Sequence, residues 1–168
     1  MLPELITDIA PLEWSSIATS LFTGGIIGLE RQLRGKPVGI RTASLIVLGT
    51  YLFLATAFEL KGDVVDPSRV VGQVITGIGF LGAGVMLAKD GAVVGVTSAA
   101  AIWVLAAIGV MIACDYRLQA IKLSLIVVAI LWGIEILEEN TKVLSRGVHA
   151  SIRRRYSRRD KKAPRQAP

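Results

Sequence analysis

The residues best suited to chemistry stand together in one stretch, Glu30 to Arg41 (ERQLRGKPVGIR), where one carboxylate meets four bases, Arg31, Arg34, Lys36 and Arg41. Glu30 can pair with an arginine a turn away or meet a cation, and the bases can hold an anionic group. Charge that only orients a chain in a membrane explains the same composition. Asp63 and Asp66, with Lys61 and Arg69 beside them, offer the oxygen ligands that a hard cation such as magnesium takes. Asp66 directly precedes Pro67, so helix capping is its preferred role. Gln73, Thr76, Thr97 and Ser98 could line a path or cavity, although hydroxyls that simply bond back to carbonyls one turn earlier are the preferred reading. There is no Ser/His/Asp set, phosphate loop, HExxH or paired-cysteine motif, and Cys114 is the sole cysteine. The expectation is therefore a protein that is not an enzyme and carries no resident cofactor, with magnesium the one metal to consider and its ligands unassigned.

These residues must be positioned by long apolar elements. From Val70 to Ala88 there is no ionisable side chain, and at about 1.5 Å per residue such a run reaches across a bilayer's hydrocarbon core. Similar runs predict five spans, at about residues 14–29, 42–58, 67–88, 93–114 and 118–137. They follow an N-terminal segment, 1–13, and precede a basic tail, 138–168. Ser20, Gly24 and Gly28 recur every four residues in the first span. In the third span Gly72, Thr76, Gly79 and Ala83 form a small-residue face, with Gln73, Gly77 and Gly84 beside it and Gly82 close by. Both patterns predict tight helix crossings, with spans 1, 3 and 4 packed closely and the bulky span 5 at the edge. Gly77 to Gly82 also matches GxGxxG, but no strand precedes it and it lies inside an apolar run, so packing is the preferred reading. Lys89-Asp90-Gly91 turns the chain.

With 168 residues, 52% of them hydrophobic, a mean hydropathy of +0.58 and a net charge of +6, the chain reads as an all-α polytopic transmembrane bundle lying in a lipid bilayer. Residues 1–13 carry Glu4, Asp8 and Glu13 but no Lys or Arg, unlike a cleaved leader. Five spans place the basic first connector and the tail on one side, which predicts N-out, C-in. The tail, including RRRYSRR at Arg153 to Arg159, suits anionic headgroups better than nucleic acid. No ionisable group sits mid-span, which weighs against a self-sufficient ion carrier.

The segments GGIIGLERQLRGKPVGIRTASLIVLGTYLF, DPSRVVGQVITGIGFLGAGVML and GVTSAAAIWVLAAIGV together resemble the MgtC/SapB family of bacterial inner-membrane proteins, over about Leu21 to Ile112. Glu30, Arg31, Gly35, Gly39, Arg41 and Thr42 stand on the first motif. Arg69, Gln73, Gly77, Gly79, Phe80, Gly82, Ala83 and Gly84 stand on the second, and Gly95, Thr97, Ala99, Ala100 and Trp103 on the third. The resemblance implies a membrane domain of about five helices, a role in growth under magnesium limitation and, in pathogens, survival inside host cells. It also implies regulation through other membrane proteins, with the proton-translocating ATP synthase as a partner. Many members continue into an ACT-like domain where this chain has its basic tail, so the resemblance covers the membrane domain alone. Ser98 and Ala101 stand where the third motif often has threonine.

The expected function is thus a membrane regulator linked to magnesium, self-associating through its small-residue faces. A transporter or channel for magnesium or another small solute, with Glu30, Gln73, Thr76 and Thr97 along its path, is the alternative.

Overall fold

A computed structural model describes residues 8–60, 66–89 and 92–140. In chain order the elements are α1 (Trp14–Leu33), α2 (Ile40–Glu59), α3 (Pro67–Gly84), a short hairpin of β1 (Leu87–Lys89) and β2 (Ala92–Val94), α4 (Val96–Ala113) and α5 (Arg117–Asn140). The all-α class holds. Residues up to Ala129 form one compact unit and those from Ile130 a second. Among the described residues, three helical segments are long and apolar enough to cross a membrane: α2, α4 and Arg117–Ile134 of α5. The apolarity of α1 is diluted by Glu30 and Arg31, and that of α3 by its glycines and Gln73.

Helix ends follow from local chemistry. Asp66 caps α3, its Oδ1 accepting from the Ser68 N–H at 2.9 Å. α1 ends in a Schellman turn. Gly35 has φ +62°, the Lys36 N–H donates to the Arg31 carbonyl at 2.9 Å, and the Gly35 N–H donates to that of Gln32 at 3.1 Å. α4 ends the same way with Asp115 at φ +67°; the Tyr116 and Asp115 N–H groups donate to the carbonyls of Met111 and Ile112.

Several boundaries differ from the sequence expectation. α1 continues past residue 29 to Leu33, so Glu30 and Arg31 are helical and not connector residues. α3 stops at Gly84, because Leu87–Lys89 leaves the helix to pair antiparallel with Ala92–Val94, in the register Leu87↔Val94, Ala88↔Val93, Lys89↔Ala92. The Asp-Gly pair between those strands is the commonest short-hairpin signal, read from the sequence only as a turn. Asp90 and Gly91 themselves lie outside the described residues, as do Lys61, Asp63 and the tail from 141 on, with RRRYSRR and His149. α4 accordingly starts at Val96, after Gly95 at φ +92°, which is pressed against the Val85 carbonyl.

The core is a packing of α1, α2 and α4. Ile27, Val47, Leu54, Ile102, Leu105, Ile108 and Ile112 are fully or almost fully buried in it. A β-carbon at Gly24 would fall 2.6 Å from the Ser44 Cα, one at Gly28 would fall 2.6 Å from the Ile40 Cα, and one at Gly109 would fall 2.6 Å from the Thr50 Cβ. Only glycine permits those approaches. The expectation that the glycines of α3 pack inside the chain is corrected: Gly72, Gly77, Gly79 and Gly84 have open space where a Cβ would go. α3 instead approaches α4 at Gly82, where a Cβ would lie at an ordinary 3.6 Å from Ala99, and Ile78 one turn earlier is buried. Ile78 and Gly82 are one turn apart, on a side of the helix away from the Gly72, Thr76, Gly79, Ala83 face. Up to Ala129, the buried residues of α5 are Ala120 and Ser124.

Candidate functional site

A cluster of charges, Glu30, Arg31 and Arg34, stands where α1 ends, the first connector turns and α4 begins. Arg31 is 3% exposed although it is an arginine. Its Nη2 donates to the Ser98 Oγ and its Nε to the Pro37 carbonyl at 3.3 Å. One guanidinium therefore ties α1 to both the connector and the first turn of α4, a charge-assisted arrangement that burial strengthens. Glu30 pairs with Arg34 across one helical turn, Oε1 to Nε at 3.1 Å. The Glu30 side chain is only 9% exposed, and its Oε2 is buried with no hydrogen-bond partner among the described residues. A buried acceptor in that condition costs about 1–3 kcal/mol. The connector is held close by its own geometry: Val38 is 7% exposed at φ +70°, and the Ile40 N–H donates to the Gln32 Oε1 at 3.4 Å.

Of the residues singled out in the sequence, this cluster unites Glu30, Arg31, Arg34 and Ser98. The others lie elsewhere. Arg41 is exposed on the first turn of α2, and Thr97 is exposed at the start of α4. Thr76 is exposed and donates to the Gly72 carbonyl at 2.9 Å, the local bond that explains a hydroxyl in an apolar helix. Gln73 lines an open groove between α2 and α3. Trp103, about half exposed, borders a small cleft of about 160 Å³ with Val71 and Ile75 of α3. Asp66 and Arg69 stand at the start of α3; the Ser68 hydroxyl first, and then its N–H, holds the Asp66 carboxyl below the usual carboxylate range. Ser20, Gly24 and Gly28 form the seam with α2. Among the described residues no three His, Cys, Asp or Glu side chains gather as a metal set would.

A second polar cluster escaped the sequence reading. Arg117, at the start of α5, donates through Nη1 to the Glu13 Oε2 and the Ser15 Oγ, and its Nη2 lies 2.6 Å from the Asp115 Oδ1. The Glu13 N–H donates to the Tyr51 hydroxyl at 3.0 Å, adding α2 to the clasp. The Ser15 hydroxyl, and then Arg117, hold the Glu13 carboxyl below its ordinary range. Arg117 and Glu13 are 104 residues apart, and no local spacing joins them.

The model of the MgtC family matches residues 17–140, which takes in every helix but the first three residues of α1. The chain belongs to the MgtC family. Among its relatives, an Escherichia coli protein named putative magnesium transporter YhiD is 48% identical over 95 residues, covering 52% of this chain and 44% of its own. Protein MgtC of Brucella abortus is 35% identical over 68% of this chain and 48% of its own, and protein MgtC of Salmonella paratyphi A is 30% identical over 84% and 59%. This MgtC-family chain thus spans about half the length of the curated relatives it matches. No solved structure matches it. Membership, with the apolar helices, makes this a membrane protein with a family-level link to magnesium.

Proposed function

We propose that this chain is a non-enzymatic, multi-pass protein of the bacterial inner membrane, with five spans, N-out and C-in. It supports growth at low magnesium by gripping other membrane proteins and further copies of itself. The observation that carries this reading is the unused face of α3. Gly72, Thr76, Gly79 and Ala83 are all exposed, and the two glycines on that face, Gly72 and Gly79, have no neighbour among the described residues where a Cβ would stand. In lipid, helices associate through close approach of small residues, and this chain spends its other tight glycines internally. By resemblance to the family, a proton-translocating ATP synthase is one partner to test. The buried cluster of Glu30, Arg31, Arg34 and Ser98 sets the angle between α1, the connector and α4, and so fixes the frame on which α3 is presented.

The transporter reading draws on the printed name of the Escherichia coli relative. Its four path residues are dispersed, however: Glu30 is buried beside Arg34, Gln73 lies in the α2–α3 groove, and Thr76 and Thr97 are exposed.

One experiment separates the two. Magnesium flux is measured into liposomes holding only the purified, folded protein, beside Gln73→Leu and Glu30→Ala, while Gly79→Leu is scored for growth at low magnesium. Growth lost in Gly79→Leu with flux no higher than in empty liposomes is expected. Saturable flux that either polar variant abolishes would establish the transporter and sink the regulator.

A further inference from the structure

The groove between α2 and α3 has a volume of about 630 Å³ and is lined on one wall by Thr42, Leu45, Gly49 and Phe53, among others, and on the other by Gln73 and Gly77 with their apolar neighbours. Its walls are apolar except for a few hydroxyls and one amide. Thr42 to Phe53 on α2, and Val70 to Leu81 on the antiparallel α3, each cover about 17 Å at about 1.5 Å per residue. That volume over that length gives a mean cross-section of about 40 Å². A helix about 10 Å across is wider than that and would rest over the open side without filling the groove. An extended hydrocarbon chain, one methylene thick with carbon contacts of about 4 Å, can enter it.

Charge distinguishes the two mouths. At one, Arg41 is exposed one turn before Leu45 on the same side of α2, and it has no hydrogen-bond or ion-pair partner among the described residues. Lys36 is exposed on the connector that leads to it. At the other, Arg69 precedes Val70 but acts on the carboxylate of Asp66, and Glu59 is exposed at the end of α2. Among the described residues, the first mouth thus presents the unpaired Arg41, and the second carries Asp66 and Glu59 against Arg69. We propose that the groove is a binding site for an anionic membrane phospholipid, with an acyl chain between α2 and α3 and the headgroup phosphate on Arg41. The site is independent of the protein-contact reading, because it lies on a different side of α3 from the Gly72 and Gly79 face.

Two glycines provide a clean test. Gly49 and Gly77 line the groove from opposite walls, and a Cβ at either would meet nothing within 4 Å. Leucine at these positions fills the groove without touching the core. Native mass spectrometry of the purified protein, titrated with phosphatidylglycerol or phosphatidylcholine, reads retained lipid directly. The wild type is expected to prefer the anionic lipid about fivefold, the scale set by one basic residue at a membrane surface. Arg41→Gln, an exposed change that leaves packing alone, should bring that ratio to about one. The Gly49→Leu plus Gly77→Leu double variant, with helicity checked by circular dichroism, should lose both lipids. Three results would each overturn the site: an unchanged preference in Arg41→Gln, full retention in the double variant, or displacement of the lipid by inorganic phosphate. Disulfide-linked dimers formed efficiently by a Gly77→Cys variant in membranes would assign the groove to a second copy instead.

Discussion

Glycine performs opposite tasks in two regions of this protein. In the α1–α2 seam Gly24 and Gly28 are surrounded, each with neighbouring backbone where a side chain would go. In α3 the glycines are more numerous, and Gly72, Gly77, Gly79 and Gly84 meet nothing. Small residues at four-residue spacing therefore announce close approach but not its partner. Where the partner is in the same chain, the glycine is a fold determinant. Where the described residues supply none, the helix carries the entropic cost of glycine, and a cost of that kind suits a partner still to be found.

The sharpest way to break this contrast is to fill both kinds of position. Gly28→Leu, pressed against Ile40, is expected to cost at least about 3 kcal/mol, seen as a large fall in thermal midpoint or failure to accumulate in membranes. A Gly28→Leu protein as stable as wild type would mean that the seam is not as close as described. Next in size is Ser98→Ala, which takes an acceptor from the buried Arg31 and should cost about 2 kcal/mol in detergent unfolding, whereas Thr97→Ala should cost almost nothing. Gly72→Ala inverts the sign. With open space around it, a methyl group there should raise stability by about 0.5–1 kcal/mol while weakening whatever contact the α3 face makes.

The smallest effect concerns the Glu13–Arg117 clasp. The folded-state pKa of Glu13 lies below its unfolded value, so the clasp adds stability above the unfolded pKa and loses it as pH falls through the lowered one. Because Glu13 is exposed, the loss is small. Thermal midpoints between pH 6 and pH 3 should decline slightly more for the wild type than for Glu13→Gln, and parallel curves would show that the clasp contributes nothing.

Much of the architecture could be read from local pattern. The apolar runs marked all five helices, Asp66-Pro67 marked the start of α3, and the Ser20, Gly24, Gly28 spacing marked a real seam. What could not be read was set by partners distant in sequence. Arg31 meets Ser98 across 67 residues, and nothing near Arg31 says that it will be buried and not solvated. Composition alone presented Glu30 to Arg41 as a basic connector outside the spans. Its first residues instead continue α1, since a Schellman turn at Gly35 lets the helix run on to Leu33. The α3 face misled in the other direction, because apolar small residues carry the same signal whether they meet a helix of their own chain or of another.

The shortness of the α1–α2 joint, residues 34–39, has a bearing on biogenesis. Two helices tied by so short a turn, and fitted by glycine to one another's backbone, can close on each other while later segments are still being translated. Damage at Gly24 or Gly28 should therefore register during insertion, as nascent chains handed to membrane proteases. Damage on α3 would reach the mature protein and show only in the company it keeps.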